Sequence, residues 1–222
     1  MRRYVLRLLA VLVLIPALSA CTHVAVIALN QFDLTDVAVE GDKLYLMGAL
    51  NSGTYEEVVE AIEANPQVRT VVLTASPGSI DEFNTLELAH YIREHRLNTH
   101  LLSNSAIASG GVDLFVAGVE RTIERGAQIG VHAWSDLSKD ASEYSRGSSE
   151  HKPYIDFTRQ MLGSEEFYWF TVYAAKSDDM HWMTEAEVER FGLATAPLLE
   201  ASGDPTPFKE DFISFRKWVV ED

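Results

Sequence analysis

The sequence predicts an α/β fold organised on a mostly parallel sheet. Three observations point there. Short β-rich runs alternate with helical patterns in the order β-α-β-α-β-α, an order that implies parallel strands joined by right-handed crossovers. One run, residues 70–74 (TVVLT), is apolar enough to be buried on both faces, as strands of a parallel sheet are. The 222 residues are 47% hydrophobic and 23% charged, an ordinary globular composition with material for a packed core.

The first clear unit is Lys43-Leu44-Tyr45-Leu46-Met47, a strand ending at Gly48. A helix follows. Thr54 and Glu57 stand in capping-box spacing, and Tyr55, Val58, Val59 and Ile62 fall at i, i+3, i+4 and i+7. The run at 70–74 then ends in the turn Ser76-Pro77-Gly78. Leu86, Ala89 and Ile92 give a second helix, residues 99–102 a third strand, and residues 109–117 a third helix running into Gly118. Residues 121–123 and 128–131 have the character of further short strands. Residues 135–152 are polar and read as an exposed connection. Residues 154–176 are rich in aromatics and helix formers, with Gly163-Ser164 as a break. Thr184 and Glu187 box the start of another helix, closed by Gly192. After the turn at Gly203-Asp204-Pro205, Phe208, Phe212, Phe215 and Val219 share one helical face, a stripe expected to dock on its own domain.

The N-terminus reads as an export signal: basic Arg2, Arg3 and Arg7, an apolar stretch over residues 8–18, then small residues. That stretch is shorter than the roughly 20 residues a spanning helix needs. Its ending, Leu18-Ser19-Ala20-Cys21, resembles the lipobox of bacterial lipoproteins. Cys21 is also the single cysteine of the chain, which excludes an internal disulfide framework and a cysteine-based metal cluster. The expectation is cleavage before Cys21, lipid on its thiol, and residence in the bacterial envelope facing the periplasm. In the resembled pathway, Thr22 favours the outer membrane. The formal charge is −15, and cleavage before Cys21 would remove Arg2, Arg3 and Arg7 with no acid, leaving the body more acidic still. Such a body is a poor partner for nucleic acid and is repelled by anionic lipid, so a membrane would hold it through the lipid alone.

Three segments have the order a strand-built acyl-transfer site needs. Ala75-Ser76-Pro77-Gly78-Ser79 follows a buried strand, and its glycine lets the backbone turn and aim an N–H outward, as an oxyanion hole requires. Ile107-Ala108-Ser109-Gly110-Gly111 opens an apolar helix, placing the serine hydroxyl near unpaired N–H groups. His132 ends the strand at 128–131, a rigid seat for a base. The surroundings of Ser109 are not Gly-x-Ser-x-Gly, so the α/β-hydrolase elbow is not supported. His90, His95 and His100 recur every five residues, which scatters them, and no metal site follows. Neither a dinucleotide fingerprint nor a phosphate-binding loop is present.

Residues 44–196 resemble the proteolytic subunit of Clp protease and the wider Clp/crotonase superfamily, which includes signal peptide peptidase A. Residues 73–79 are similar to the family's Ser-Pro-Gly-Gly turn, and Ala108-Ser109-Gly110-Gly111 with residues 114–118 to its nucleophile helix. His132 lies 23 residues after Ser109, where the family's histidine is expected. Residues 183–193 (MTEAEVERFGL) are similar to the segment that follows its catalytic aspartate. The chain departs at Ser79, where the family has a second glycine, at Ala133-Trp134 in place of Gln-Pro, and in the register of the acid.

The resemblance implies a Clp/crotonase-type spiral of β-β-α repeats over residues 44–200, with mostly parallel short sheets and a helical C-terminal part. A signal peptide (1–20), a linker with a first strand region (21–43) and a C-terminal turn and amphipathic helix (201–222) complete the expected organisation. It implies Ser109 as nucleophile, His132 as general base, the N–H groups of Gly78 and Gly110 as oxyanion hole, and an orienting aspartate. Asp179 is the smaller departure from the family register and Asp178 the larger. The implied activity is serine hydrolysis of a peptide or protein amide, with no cofactor and with self-association as in the resembled proteases. The rival expectation is a non-catalytic binding or scaffold protein of the envelope. Acyl-CoA chemistry fits poorly with export away from the CoA pool.

Overall fold

A computed structural model describes residues 34–136, 138–203 and 206–221. The export segment and Cys21 lie outside the described residues. No described helix is long and apolar enough to cross a membrane.

Strand β1 (Thr35–Glu40) runs antiparallel to β2 (Lys43–Gly48), with Thr35 opposite Gly48. Helix α1 (Ser52–Ala64) then leads to β3 (Thr70–Ser76), which is parallel to β2. Its N-cap is Asn51, whose side chain accepts from the Gly53 N–H, while the Thr54 hydroxyl accepts from the Asn51 N–H. Thr54 is therefore the third residue of the box and not its first, because asparagine at the extended position 51 already offers the capping oxygen. Val58 and Ile62 bury the face the periodicity picked out.

β3 is the fork of the sheet. Its first half, Thr70 to Val72, pairs in parallel with β4 (Asn98–Leu101), which follows helix α2 (Glu82–Glu94). Its last residues, Ala75 and Ser76, pair instead with β5 (Ala106–Ala108). The corner between β4 and β5 is held by Ser105, fully buried, whose hydroxyl donates to Leu73 O at 2.7 Å and accepts from Leu102 N at 3.0 Å. After helix α3 (Gly110–Val116) the same split recurs: β6 (Arg121–Ile123) pairs with β4, and β7 (Gln128–Val131) with β5. The result is a mixed α/β fold with a mostly parallel sheet, its strand-turn-strand-helix units repeating, as the sequence predicts. β1 falls within the first strand region expected over residues 21–43, whereas the sequence leaves β5 and the short β8 (His181–Trp182) unmarked; both are too short to show a period of two.

Leu44, Leu46, Val71, Leu73, Ile107 and Phe115 form the centre of the core between the sheet and helices α1 to α3. A fully enclosed leucine such as Leu46 contributes roughly 1.5–3 kcal/mol by leaving water. Helices α4 (Lys152–Leu162) and α5 (Glu166–Ala174) break at Gly163, which adopts the left-handed conformation at φ +81° that closes a helix. Helix α6 (Glu185–Arg190) carries the expected Thr184–Glu187 box. Helix α7 (Lys209–Glu221) covers the other face of the sheet, with Phe208, Phe215 and Val219 against Met47 and Ala75.

Residues 135–152 are not the plain solvated connection their polarity implies. Ala141 and His151 within them are fully buried, and Tyr144 tilts against Trp134 at 5.6 Å. The segment contributes aromatic contacts that no spacing rule reveals.

Candidate active site

Parallel strands β5 and β7 end side by side, Ala108 opposite Gly130, so the residues that follow them, Ser109 and His132, emerge together. The Ser109 N–H donates to Gly130 O at 3.1 Å and fixes this juxtaposition. Ser109 combines a positive φ with a strongly negative ψ, the conformation of the first central residue of a type II′ turn. A non-glycine residue there carries strain of order 1–3 kcal/mol, and such residues cluster at functional sites.

The turn after β3 packs directly against this serine. A Cβ on Gly78, whose φ is +126°, would sit 2.8 Å from Ser109 Cβ, and one on Gly110 would sit 2.6 Å from Ser79 Cβ. Both positions must be glycine for the two segments to approach. Ser79 fills the place of a second glycine without opening the turn: its hydroxyl lies 2.6 Å from Thr85 Oγ1, which donates to Asp81 O. Among the described residues neither the Gly78 nor the Gly110 N–H has an acceptor. At the far end of α3, Arg93 donates to the carbonyls of Val116 and Ala117, a cation at the negative end of the helix.

His132 Nδ1 lies 2.8 Å from Ala133 O. A carbonyl only accepts, so the proton sits on Nδ1 and the lone pair on Nε2, the tautomer a general base needs. Ser109 Oγ and His132 line the same cleft, without a hydrogen bond between them. Asp179 does not meet His132. It is exposed, and its Oδ1 accepts from the Met180 N–H at 2.8 Å. Asp178 is exposed as well. The structure thus brings together Ser109, His132, Gly78 and Gly110, and gives the histidine a backbone carbonyl where the resemblance implies a carboxylate.

Two acids unmarked in the sequence analysis also line the cleft, Glu82 and Asp113. Glu82 is the first residue of α2. Asp113 is the fourth residue of α3, the helix that Ser109 precedes. Burial, with repulsion from Asp81, raises the Glu82 pKa from 4.5 to about 7. Burial, with repulsion from Glu82, holds Asp113 well above the usual carboxylate range. The opposite wall is aromatic. Trp134 Nε1 donates to Tyr168 Oη at 2.9 Å, Tyr154 stacks on Trp134 at 5.4 Å, and the Tyr168 hydroxyl lies 2.5 Å from Nδ1 of buried His151. Burial pushes the Tyr168 pKa up to about 12, against the lowering effect of the Trp134 hydrogen bond. A spacing of four from the nucleophile is the one sequence signal that points to Asp113. Among the described residues no cluster of His, Cys, Asp and Glu has the arrangement of a metal site.

The fold and the cleft define the class of this chain: a mixed α/β protein, its sheet mostly parallel, with its candidate site where two parallel strands end. The chain matches no known family model and no curated protein. It is similar to the solved structure of a membrane-bound stomatin-specific protease (1510-N) in complex with a substrate peptide. The identity is 14% and the TM-score 0.48, over 68% of this chain and 71% of that one. It is also similar to enoyl-CoA hydratases from Bacillus halodurans and Geobacillus kaustophilus. The first is 17% identical with a TM-score of 0.48, over 86% of this chain and 81% of that one. The second is 13% identical with a TM-score of 0.49, over 86% and 73%. At these identities the likeness is one of fold.

Proposed function

We propose that this chain is a serine hydrolase of peptide amides, anchored in the bacterial envelope by lipid on Cys21. The observation that carries the reading is Ser109 itself: a strained serine at the open end of the sheet, beside His132 and between two N–H groups that have no acceptor among the described residues. In the proposed reaction Ser109 Oγ attacks the substrate carbonyl as His132 Nε2 takes its proton. The carbonyl oxygen, now negative, receives the N–H groups of Gly78 and Gly110. His132 then gives the proton to the leaving amine, and water releases the acyl group by the same steps in reverse. The Ala133 carbonyl holds the imidazole in register, so the working unit is a serine–histidine pair without Asp179.

The test is labelling of the full-length, detergent-solubilised protein with a fluorophosphonate. Modification of Ser109 that disappears in His132→Ala supports the reading. A silent Ser109 favours the second reading, a binding protein that kept the fold, which rests on the absence of a hydrogen bond between Ser109 and His132.

A further inference from the structure

The acids of the cleft are unmatched. Among the described residues neither the Glu82 nor the Asp113 carboxyl accepts a hydrogen bond or meets a cation, although both are half-buried and the charge of Glu82 opposes that of Asp113. Carboxylates placed out of water are ordinarily paired. Asp113 stands in the first turn of α3, the helix that Ser109 precedes. Apolar Val112 and Phe157 line the same cleft, suited to the methylenes of a long side chain.

We propose that the cleft selects substrates carrying a lysine or arginine side chain on the acyl side of the bond, with Asp113 and Glu82 receiving its charge. The proposal names the substrate class of the serine-hydrolase reading and rests on it for the word "acyl". Ser109, Asp113 and Glu82 line one cleft, so a long cationic side chain beside a carbonyl held at Ser109 can bring its charge to the two acids. The incoming charge compensates the repulsion between them. Anionic side chains are rejected for the same reason, which makes the selectivity one of repulsion as well as attraction.

The experiment uses the full-length protein and peptidyl phosphonates that differ only in the residue bearing phosphorus: lysine, arginine, norleucine or glutamate. Mass spectrometry follows modification of Ser109, with a fluorophosphonate run in parallel. Lysine and arginine probes are expected to react at least about tenfold faster than norleucine, an electrostatic discrimination of ~1.4 kcal/mol, with glutamate slowest. Asp113→Asn is expected to bring the lysine-to-norleucine ratio to within roughly threefold. If norleucine matches or exceeds lysine while the fluorophosphonate labels Ser109, the cation preference is overturned and the hydrolase stands. If the fluorophosphonate leaves Ser109 untouched, the hydrolase falls. The cation site is then decided by titrating the unreacted chain with n-butylguanidinium under NMR. Saturable binding lost in Asp113→Asn upholds the site, and no binding overturns it.

Discussion

Replacing Glu82 by glutamine should stabilise the protein, and only at the alkaline end of its range. The folded state raises the Glu82 pKa from 4.5 to about 7, first through burial and then through repulsion from Asp81. The folded chain therefore binds the proton more tightly than the unfolded chain, and stability declines as pH rises from about 4.5 to about 7, then levels off. A displacement of about 2.5 units at ~1.36 kcal/mol each sets a ceiling of about 3 kcal/mol on the loss. Glutamine keeps the shape and cannot ionise, so it removes this loss and also the charge that opposes ionisation of Asp113. Urea unfolding followed by tryptophan fluorescence at pH 5 and pH 8 measures both limits. The variant should exceed the parent by about 1–3 kcal/mol at pH 8 and by no more than ~0.8 kcal/mol at pH 5. An equal difference at the two pH values, or a less stable variant at pH 8, would refute the argument that Glu82 is held out of water without a partner.

Ser109→Ala and His132→Ala should each abolish fluorophosphonate labelling or peptide hydrolysis, and the double variant should be no slower than either, because members of one catalytic unit are not additive. Gly78→Ala places a Cβ 2.8 Å from Ser109 Cβ on backbone at φ +126°; it should cost about 1–3 kcal/mol in urea unfolding and most of the labelling rate. Asp179→Asn should change turnover by less than roughly threefold in steady-state assays, since its carboxylate serves a loop N–H and not His132. Cys21→Ser should move the protein from the membrane fraction to the soluble periplasm on fractionation, and unchanged membrane retention would count against lipidation.

The parts of the fold that the sequence made legible are those with a local physical signature. Thr70 to Thr74 read as a buried strand because nearly every position faces the interior, and the Thr184–Glu187 box and the Gly163 break carry their geometry in their residue types. β5 escaped because a strand as short as Ala106 to Ala108 cannot display a period, and its place in the sheet is fixed by β3 and β7 from elsewhere in the chain. Gly78 and His132 were legible because each follows a strand and must turn there, and Ser109 because it opens an apolar helix. The carbonyl on His132 was not, since a backbone acceptor has no residue type to announce it. Glu82 looks like an ordinary first-turn acid of a helix, favourable beside the dipole; its place in the cleft, among side chains from several elements, makes it a partly buried one.

The conformation of Ser109 also decides how an inactive form of this protein should be made. Ser109→Ala would inherit the unfavourable positive φ and keep the local tension, whereas glycine adopts that angle at no steric cost. Ser109→Gly should therefore be both unreactive and more robust than the parent chain. An inert yet sturdier molecule with its cleft intact is the natural bait for asking whether any polypeptide enters it.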